Sequence, residues 1–426
     1  MRRISSHLLA SASCGVLLLV ALAPLASRAD SPSHGDLAIQ AARVGDLPRA
    51  RAELAQLPSD KLHGPQALLI EACLALEAGD WQAAAESLRA LQTAQPNSPE
   101  ALVLQKLIAL RRAQPDQSWP DAYVRAWKDA GRPDLEHSPL IKLQDDDALP
   151  ELHLEDISKW KLDPETQLVV ALTDRLDPEH ARVIVPLIPT LVDPGWAIAV
   201  HDLAGNKTLP EDLRTEMTSA IRQRWPAIID ASPNAMDLRL MALLDDTDDN
   251  APFTAEEMLE LEEIAWLPEW RSTDFHDVFE RANHHLAAVN IPNPPRWGLA
   301  FSTAVSTLVG SSIGHLQYRT KASLATFSPA GKQRLGEVLW QIGSNLAIEP
   351  TLVEHLVGVY LMRKGAQAMD DTARLDEAGT LRADTWAAWA AWKKANGGCW
   401  PIPSLQKALL EDHVRDEVAN MRKYFP

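Results

Sequence analysis

Gly45-Asp46-Leu47-Pro48-Arg49-Ala50 and Gly79-Asp80-Trp81-Gln82-Ala83-Ala84 open on the same Gly-Asp pair, 34 positions apart. The echo continues at helical spacing. Ala50, Leu54 and Leu57 follow the first glycine at the offsets that Ala84, Leu88 and Leu91 keep from the second, and Ala38 and Ala72 precede them at matching places. A repeat of this type needs a small residue where two helices cross closely, an apolar stripe on each helix and a turn residue between them. Pro58 and Pro96 fall near the ends of the two units, where a helix has to stop. A single hairpin cannot bury its own apolar stripe, so a pattern of this kind predicts stacked helical hairpins.

Over about residues 36–112 the pattern resembles the tetratricopeptide repeat family, whose period is 34 residues. The chain departs from the family at the large aromatic position of the first helix, occupied here by Ala41 and Ala75. A third unit starts with a helix at Glu100–Arg112 and then diverges at Pro115 and Pro120. The resemblance implies a binding surface: a groove lined by the first helices of the pairs that holds a peptide or protein segment.

Met1-Arg2-Arg3, the apolar run Val16–Leu22 and Ser27-Arg28-Ala29 ahead of Asp30 have the order of a secretory signal peptide cleaved after Ala29. The expectation is export, into a bacterial periplasm or beyond, with no transmembrane segment in the mature chain. Formal charge is −17, and loss of Arg2, Arg3 and Arg28 would make it more negative. That balance excludes nucleic acid as a natural partner, since phosphate binding needs a basic footprint. Cys73 and Cys399 would remain, and spacing leaves open whether they pair.

The 426 residues exceed one typical core. Linker-like stretches at 131–150 and around Ile291-Pro292-Asn293-Pro294-Pro295 suggest an array at 30–131, a middle region at 151–290 and a C-terminal region at 297–426. Nearly everything reads at helical period. The expected class is all-α: hairpins of the tetratricopeptide kind, then a larger helical region, for which a solenoid is one arrangement. Residues 183–206 resemble a HEAT-type repeat, with an Asp193-Pro194 turn and Trp196, Ala199, Val200 and Leu203 on one helical face.

Three constellations carry candidate chemistry. Gly310-Ser311-Ser312-Ile313-Gly314 matches the nucleophile turn of serine hydrolases, with Asp371 or Asp376 and His413 as following partners. Gly195 to Gly205 resembles a fragment of such a fold, and a buried helix from Gly298 to Leu316 is the alternative. No upstream strand series or glycine-rich oxyanion loop supports the enzyme, so no catalytic residue is assigned.

Asp246, Asp248, Asn250, Thr254 and Glu257 occupy positions one, three, five, nine and twelve of a loop that resembles an EF-hand. Ala251 stands where that loop needs glycine. Calcium is the one cofactor the residues suggest, held by Asp246, Asp248, Asn250 and Glu257 in a structural module; the alternative is an acidic turn with a Thr254/Glu257 capping box. His276, Glu280 and His284 align on the polar side of one helix, and Trp386, Trp389 and Trp392 recur on another as packing or as a partner surface.

Overall fold

The computed structural model describes residues 33–58, 61, 64–141, 161–173, 178–245, 247–291, 293, 295–308 and 311–425. Twenty α-helices account for nearly all regular structure among them, and the β contact present is an isolated bridge between Ala235 and Glu269. The chain is all-α, as its periodicity predicts. Its described part divides into two compact units, residues 33–141 with 384–425, and residues 161–383. The signal-peptide stretch lies outside the described residues.

In the first unit α1 (His34–Arg43) packs on α2 (Leu47–Ala55), and α3 (Pro65–Glu77) on α4 (Trp81–Ala94). The two turns are alike. Gly45 and Gly79 take left-handed φ angles of 78° and 71°, which a side chain resists. Their N–H groups bond back to Ala42 and Leu76, and those of Asp46 and Asp80 to Ala41 and Ala75, the reverse bonding that closes a helix end. Asp46 and Asp80 then cap α2 and α4 by accepting from the N–H of Arg49 and Ala83. Serine caps at Ser98 and Ser118 start α5 (Pro99–Ala113) and α6 (Trp119–Asp129). Ala38, Ala50, Leu54, Ala72, Ala84, Leu88 and Leu91 are all buried.

The second unit contains α7 (Pro164–Thr173), α8 (Pro178–Ile184), α9 (Pro194–Ala204), α10 (Glu211–Ala231), α11 (Met236–Leu244), α12 (Ala255–Ala265), α13 (Phe275–Ala288), α14 (Pro295–Val305), α15 (Ser311–Thr326), α16 (Pro329–Leu346) and α17 (Leu352–Ala368). Asp193 caps α9, and Trp196, Ala199, Val200 and Leu203 are buried together. Residues 298–316 form parts of two helices rather than one. α14 ends at Val305, and the Ser306 and Thr307 hydroxyls turn back onto the carbonyls of Thr303 and Ala304.

The boundary between the units falls within α18 (Thr372–Ala395), after which come α19 (Pro403–Arg415) and α20 (Glu417–Arg422). This divides the region 297–426 differently from the sequence pattern, because residues 384–425 complete the first unit's core. Trp400, Ile402, Leu405 and Tyr424 are fully buried in one cluster with Leu69, Leu76, Leu104, Tyr123 and Trp127. The stretch read as a linker contributes as well. Leu135 and Ile141 are fully buried, and the Leu135 N–H bonds to the Lys394 carbonyl at 2.7 Å.

In the second unit α16 and α17 meet backbone to backbone through glycines seven residues apart on each helix. A Cβ on Gly343 would lie 2.6 Å from the Gly358 carbonyl oxygen, and one on Gly365 2.5 Å from that of Gly336. Alanine at Gly343 or Gly358 is expected to force the helices apart and cost about 2–3 kcal/mol. Gly379, in α18 with open space around its Cβ direction, is the control. Alanine there should be neutral or stabilise by up to about 1 kcal/mol. Urea denaturation of the three variants checks both statements.

A polar cluster is buried in the same unit. The Arg271 guanidinium donates to Glu354, which also accepts from the Trp270 indole at 3.2 Å and the Thr351 hydroxyl at 2.7 Å. Asp237 is 2% exposed. Burial pushes its carboxyl up to about 7 against the pull of Arg271. Burial and the like charge of Glu354 push Glu349 up to about 7 too. The folded chain therefore holds protons that the unfolded chain has released. That contribution is complete below the unfolded pKa and is lost as pH rises through about 7. Stability is expected to fall from pH 5 to pH 8, and Asp237→Asn to make the decline shallower, by thermal unfolding across that range.

Candidate functional site

The loop before α12 has a cation at its centre, and the cation is a side chain. Asp246 lies outside the described residues. Thr254 and Glu257 form the reciprocal cap that starts α12, the Thr254 N–H donating to Glu257 Oε2 at 2.7 Å and the Glu257 N–H to Thr254 Oγ1 at 3.2 Å. Arg319, reaching over from α15, donates to both Glu257 oxygens, at 2.6 and 2.8 Å. It also reaches the carbonyls of Ala251, at 3.3 Å, and Pro252, at 3.1 Å. Its guanidinium is 2% exposed and stacks 4.5 Å from the Phe253 ring centroid. The fork from Arg319 draws the Glu257 carboxyl down to about 2.

Pro252 and Glu257 stand at loop positions seven and twelve, two of the places from which an EF-hand gathers oxygens. Here both serve Arg319. Asp248 turns its carboxylate onto the Asn250 N–H at 2.9 Å, a local turn. Asp249 pairs with His315 at 2.5 Å, and the Phe253 N–H donates to Ser323 Oγ at 2.8 Å. Both partners lie on α15, so the loop is stapled to that helix at three points.

Beside the loop opens a polar cleft of about 940 Å³, lined among others by His201, Arg214, Arg222, Asp245, Asp248 and His315. Arg222 forks onto Asp245 at 2.8 and 3.0 Å, and His201 Nε2 lies 3.4 Å from the same carboxylate. Burial pushes Asp245 up, but the His201 and Arg222 hydrogen bonds outweigh it and hold the carboxyl well below the usual range. His201 Nδ1 is buried without a partner. Asp245 thus ties Arg222 of α10 and His201 of α9 together.

Ser312 sits near the start of α15 at 2% exposure, its hydroxyl buried with no partner. Gly310, the first residue of that motif, lies outside the described residues. His413, on α19 in the other unit, stacks on Trp392 and lies 3.5 Å from Glu417. His276 lies 4.0 Å from Glu280, while His284 packs edge-on against His285. Pattern reading missed His285, whose Nδ1 is 2.8 Å from the Thr166 hydroxyl and whose Nε2 is 3.5 Å from Glu165. Its signal would have been its position beside the apolar stripe. Among the described residues no three His, Cys, Asp or Glu side chains gather as a metal set. Trp386 and Trp389 meet edge to face at 5.2 Å, with Lys393 over Trp389. Cys73 and Cys399 are unbridged, and burial pushes the Cys73 thiol up.

In the first unit the seat of the C-terminal segment is specific. Arg43, at the end of α1, donates to the Cys399 carbonyl at 2.7 and 3.1 Å and to that of Ile141 at 2.9 Å. Glu77, at the end of α3, accepts from the Ser404 hydroxyl at 2.6 Å and its N–H at 3.2 Å. The Trp400 indole donates to the Tyr123 hydroxyl at 2.9 Å. No helix of the described chain is long and apolar enough to cross a membrane. Compared with known proteins, the chain matches no family model, no curated protein and no solved structure.

If Arg319 is the loop's cation, removing it should matter where calcium does not. Arg319→Met is expected to destabilise by about 3–5 kcal/mol, since it leaves a partly buried carboxylate uncompensated. The melting temperature of the unaltered protein should be the same in chelator and in millimolar calcium. A calcium-dependent rise in the unaltered protein would show that the ion displaces the guanidinium.

Proposed function

We propose that the chain is an exported binding or scaffold protein that holds a protein or peptide partner in the cell envelope on its hairpin array. The observation that carries the reading is the repetition of one hairpin, with one turn chemistry, at a spacing of 34 residues. Its leader-like N-terminus and acidic balance support export and a soluble, partner-facing role.

The accessible face differs from the groove expected of the first helices. α3 is buried on nearly every side, and the ends of α1 and α3 hold the C-terminal segment through Arg43 and Glu77. What remains open is a stripe on α4 and α5 carrying Gln82, Glu86, Arg89, Leu102 and Gln105. Leu102 is 40% exposed, an apolar anchor within a polar surround of the kind that binding faces use. The mechanism is docking of a partner segment along this stripe, by burial of Leu102 and hydrogen bonds to its polar neighbours.

A photo-crosslinking residue placed at Leu102 or Gln105 in cells is expected to capture one discrete partner, and the purified protein to begin at Asp30. The same residue at Leu259, exposed on α12, should not capture it. Equal capture at all three sites, or none at the first two, would end the array reading.

A further inference from the structure

Four acidic side chains are buried among the described residues: Glu100, Asp237, Glu354 and Glu417. Arg271 faces Asp237 and Glu354, and His413 faces Glu417. Glu100 has no basic hydrogen-bond partner among the described residues. It lies in the first turn of α5 at 4% exposure, and its oxygens accept from the Ser98 hydroxyl at 2.6 Å and from the Ser138 hydroxyl. A carboxylate offers about four acceptor positions, so two hydroxyls leave capacity unused. A buried carboxylate is ordinarily paired, because its desolvation is otherwise uncompensated.

Glu100 also lines a pocket of about 630 Å³ between the α4–α5 turn and residues 134–140. Pro96, Pro99, Pro139 and Leu140 give it apolar walls, and the exposed Asp134 and His137 add polar lining. Apolar walls beside a buried acid complement a long basic side chain, which packs its methylenes along a wall and delivers its charge at the tip. The chain's formal charge of −17 draws such a partner in.

We infer that this pocket receives a lysine or arginine from a basic segment of the partner, with Glu100 as the counter-charge. The inference rests on the array reading above and names the chemistry of what the array takes. The acceptor is preformed, since Ser98 and Ser138 already hold the carboxylate in place. Specificity follows from the same geometry: a neutral side chain would fill the pocket and leave Glu100 uncompensated.

The test is fluorescence anisotropy of the mature chain with a short labelled peptide of alternating glycine and lysine, its arginine counterpart and its acetyl-lysine counterpart. Saturable binding of the lysine or arginine peptide is expected, weakened at least about tenfold by Glu100→Gln, which keeps the serine hydrogen bonds. Asn97→Lys, at an exposed position in the pocket lining, should block binding by supplying a cation in cis, without touching the core. Glu260→Gln, exposed on α12 and outside the array, controls for general acidity and should change little.

Equal binding by Glu100→Gln, or by the acetylated peptide, overturns the inference. Because the probe is a defined peptide, the two readings separate. Glu100-dependent peptide binding with no capture at Leu102 keeps the pocket and removes the array partner. Capture at Leu102 with no Glu100 dependence does the reverse.

Discussion

A stack of helical hairpins ends in an apolar face that has to be covered, and the covering element here comes from the far end of the chain. Trp400 is fully buried, with its indole N–H on the Tyr123 hydroxyl, which in turn donates to the Ala395 carbonyl. Burial raises the Tyr123 phenol well above its usual range, so the hydroxyl stays protonated and the relay keeps its direction. Residues 33–141 therefore contain the repeat but not a complete core. The cover also consumes part of the surface that a hairpin array would present, because Arg43 and Glu77 are committed to Cys399 and Ser404. The outer face of α4 and α5 is left open by default.

The second unit is held together by arginines acting as internal cations. Arg319 joins a loop to α15, Arg222 joins α10 to Asp245, Arg271 meets Glu354, and Arg281 bonds to the Asp193 cap of α9 at 2.5 Å. A guanidinium suits this use because its fork matches a carboxylate and its charge survives burial. Where the guanidinium is buried, as at Arg319 and Arg271, such a pair defines an arrangement more than it stabilises it, whereas losing one partner is expensive. The exposed Arg334–Glu262 fork, at 2.7 and 2.8 Å, has equally good geometry, but water screens it and its contribution is small.

What could be read in the sequence was what neighbouring residues decide. The hairpins, their glycine turns and the small crossing residues all follow from spacing, and the Thr254/Glu257 cap was legible as an alternative. The occupant of the acidic loop was not, because Arg319 lies 62 residues beyond Glu257 and nothing local marks it. An EF-hand and an arginine-filled turn need the same oxygens, so the loop alone cannot distinguish them. Distance hid the C-terminal cover as well: its tryptophans suggested packing without saying against what. A stronger signal was overlooked in Gly336, Gly343, Gly358 and Gly365, whose sevenfold spacing on two successive helices marks a close backbone crossing.

Glu100 differs from the other buried acids of the described chain, and the difference bears on where function lies. In the second unit, Asp237 and Glu354 face Arg271, so their desolvation is offset from within. In the first, His413 faces Glu417, while among the described residues Glu100 is served by hydroxyls alone. Its place in the opening turn of α5 lowers the cost, since free N–H groups and the helix dipole favour negative charge there. A basic side chain from the partner, entering the pocket that Glu100 lines, is the counter-charge assigned above. Filling the pocket with a neutral side chain would add only burial, whereas a cation would add burial and the missing charge together.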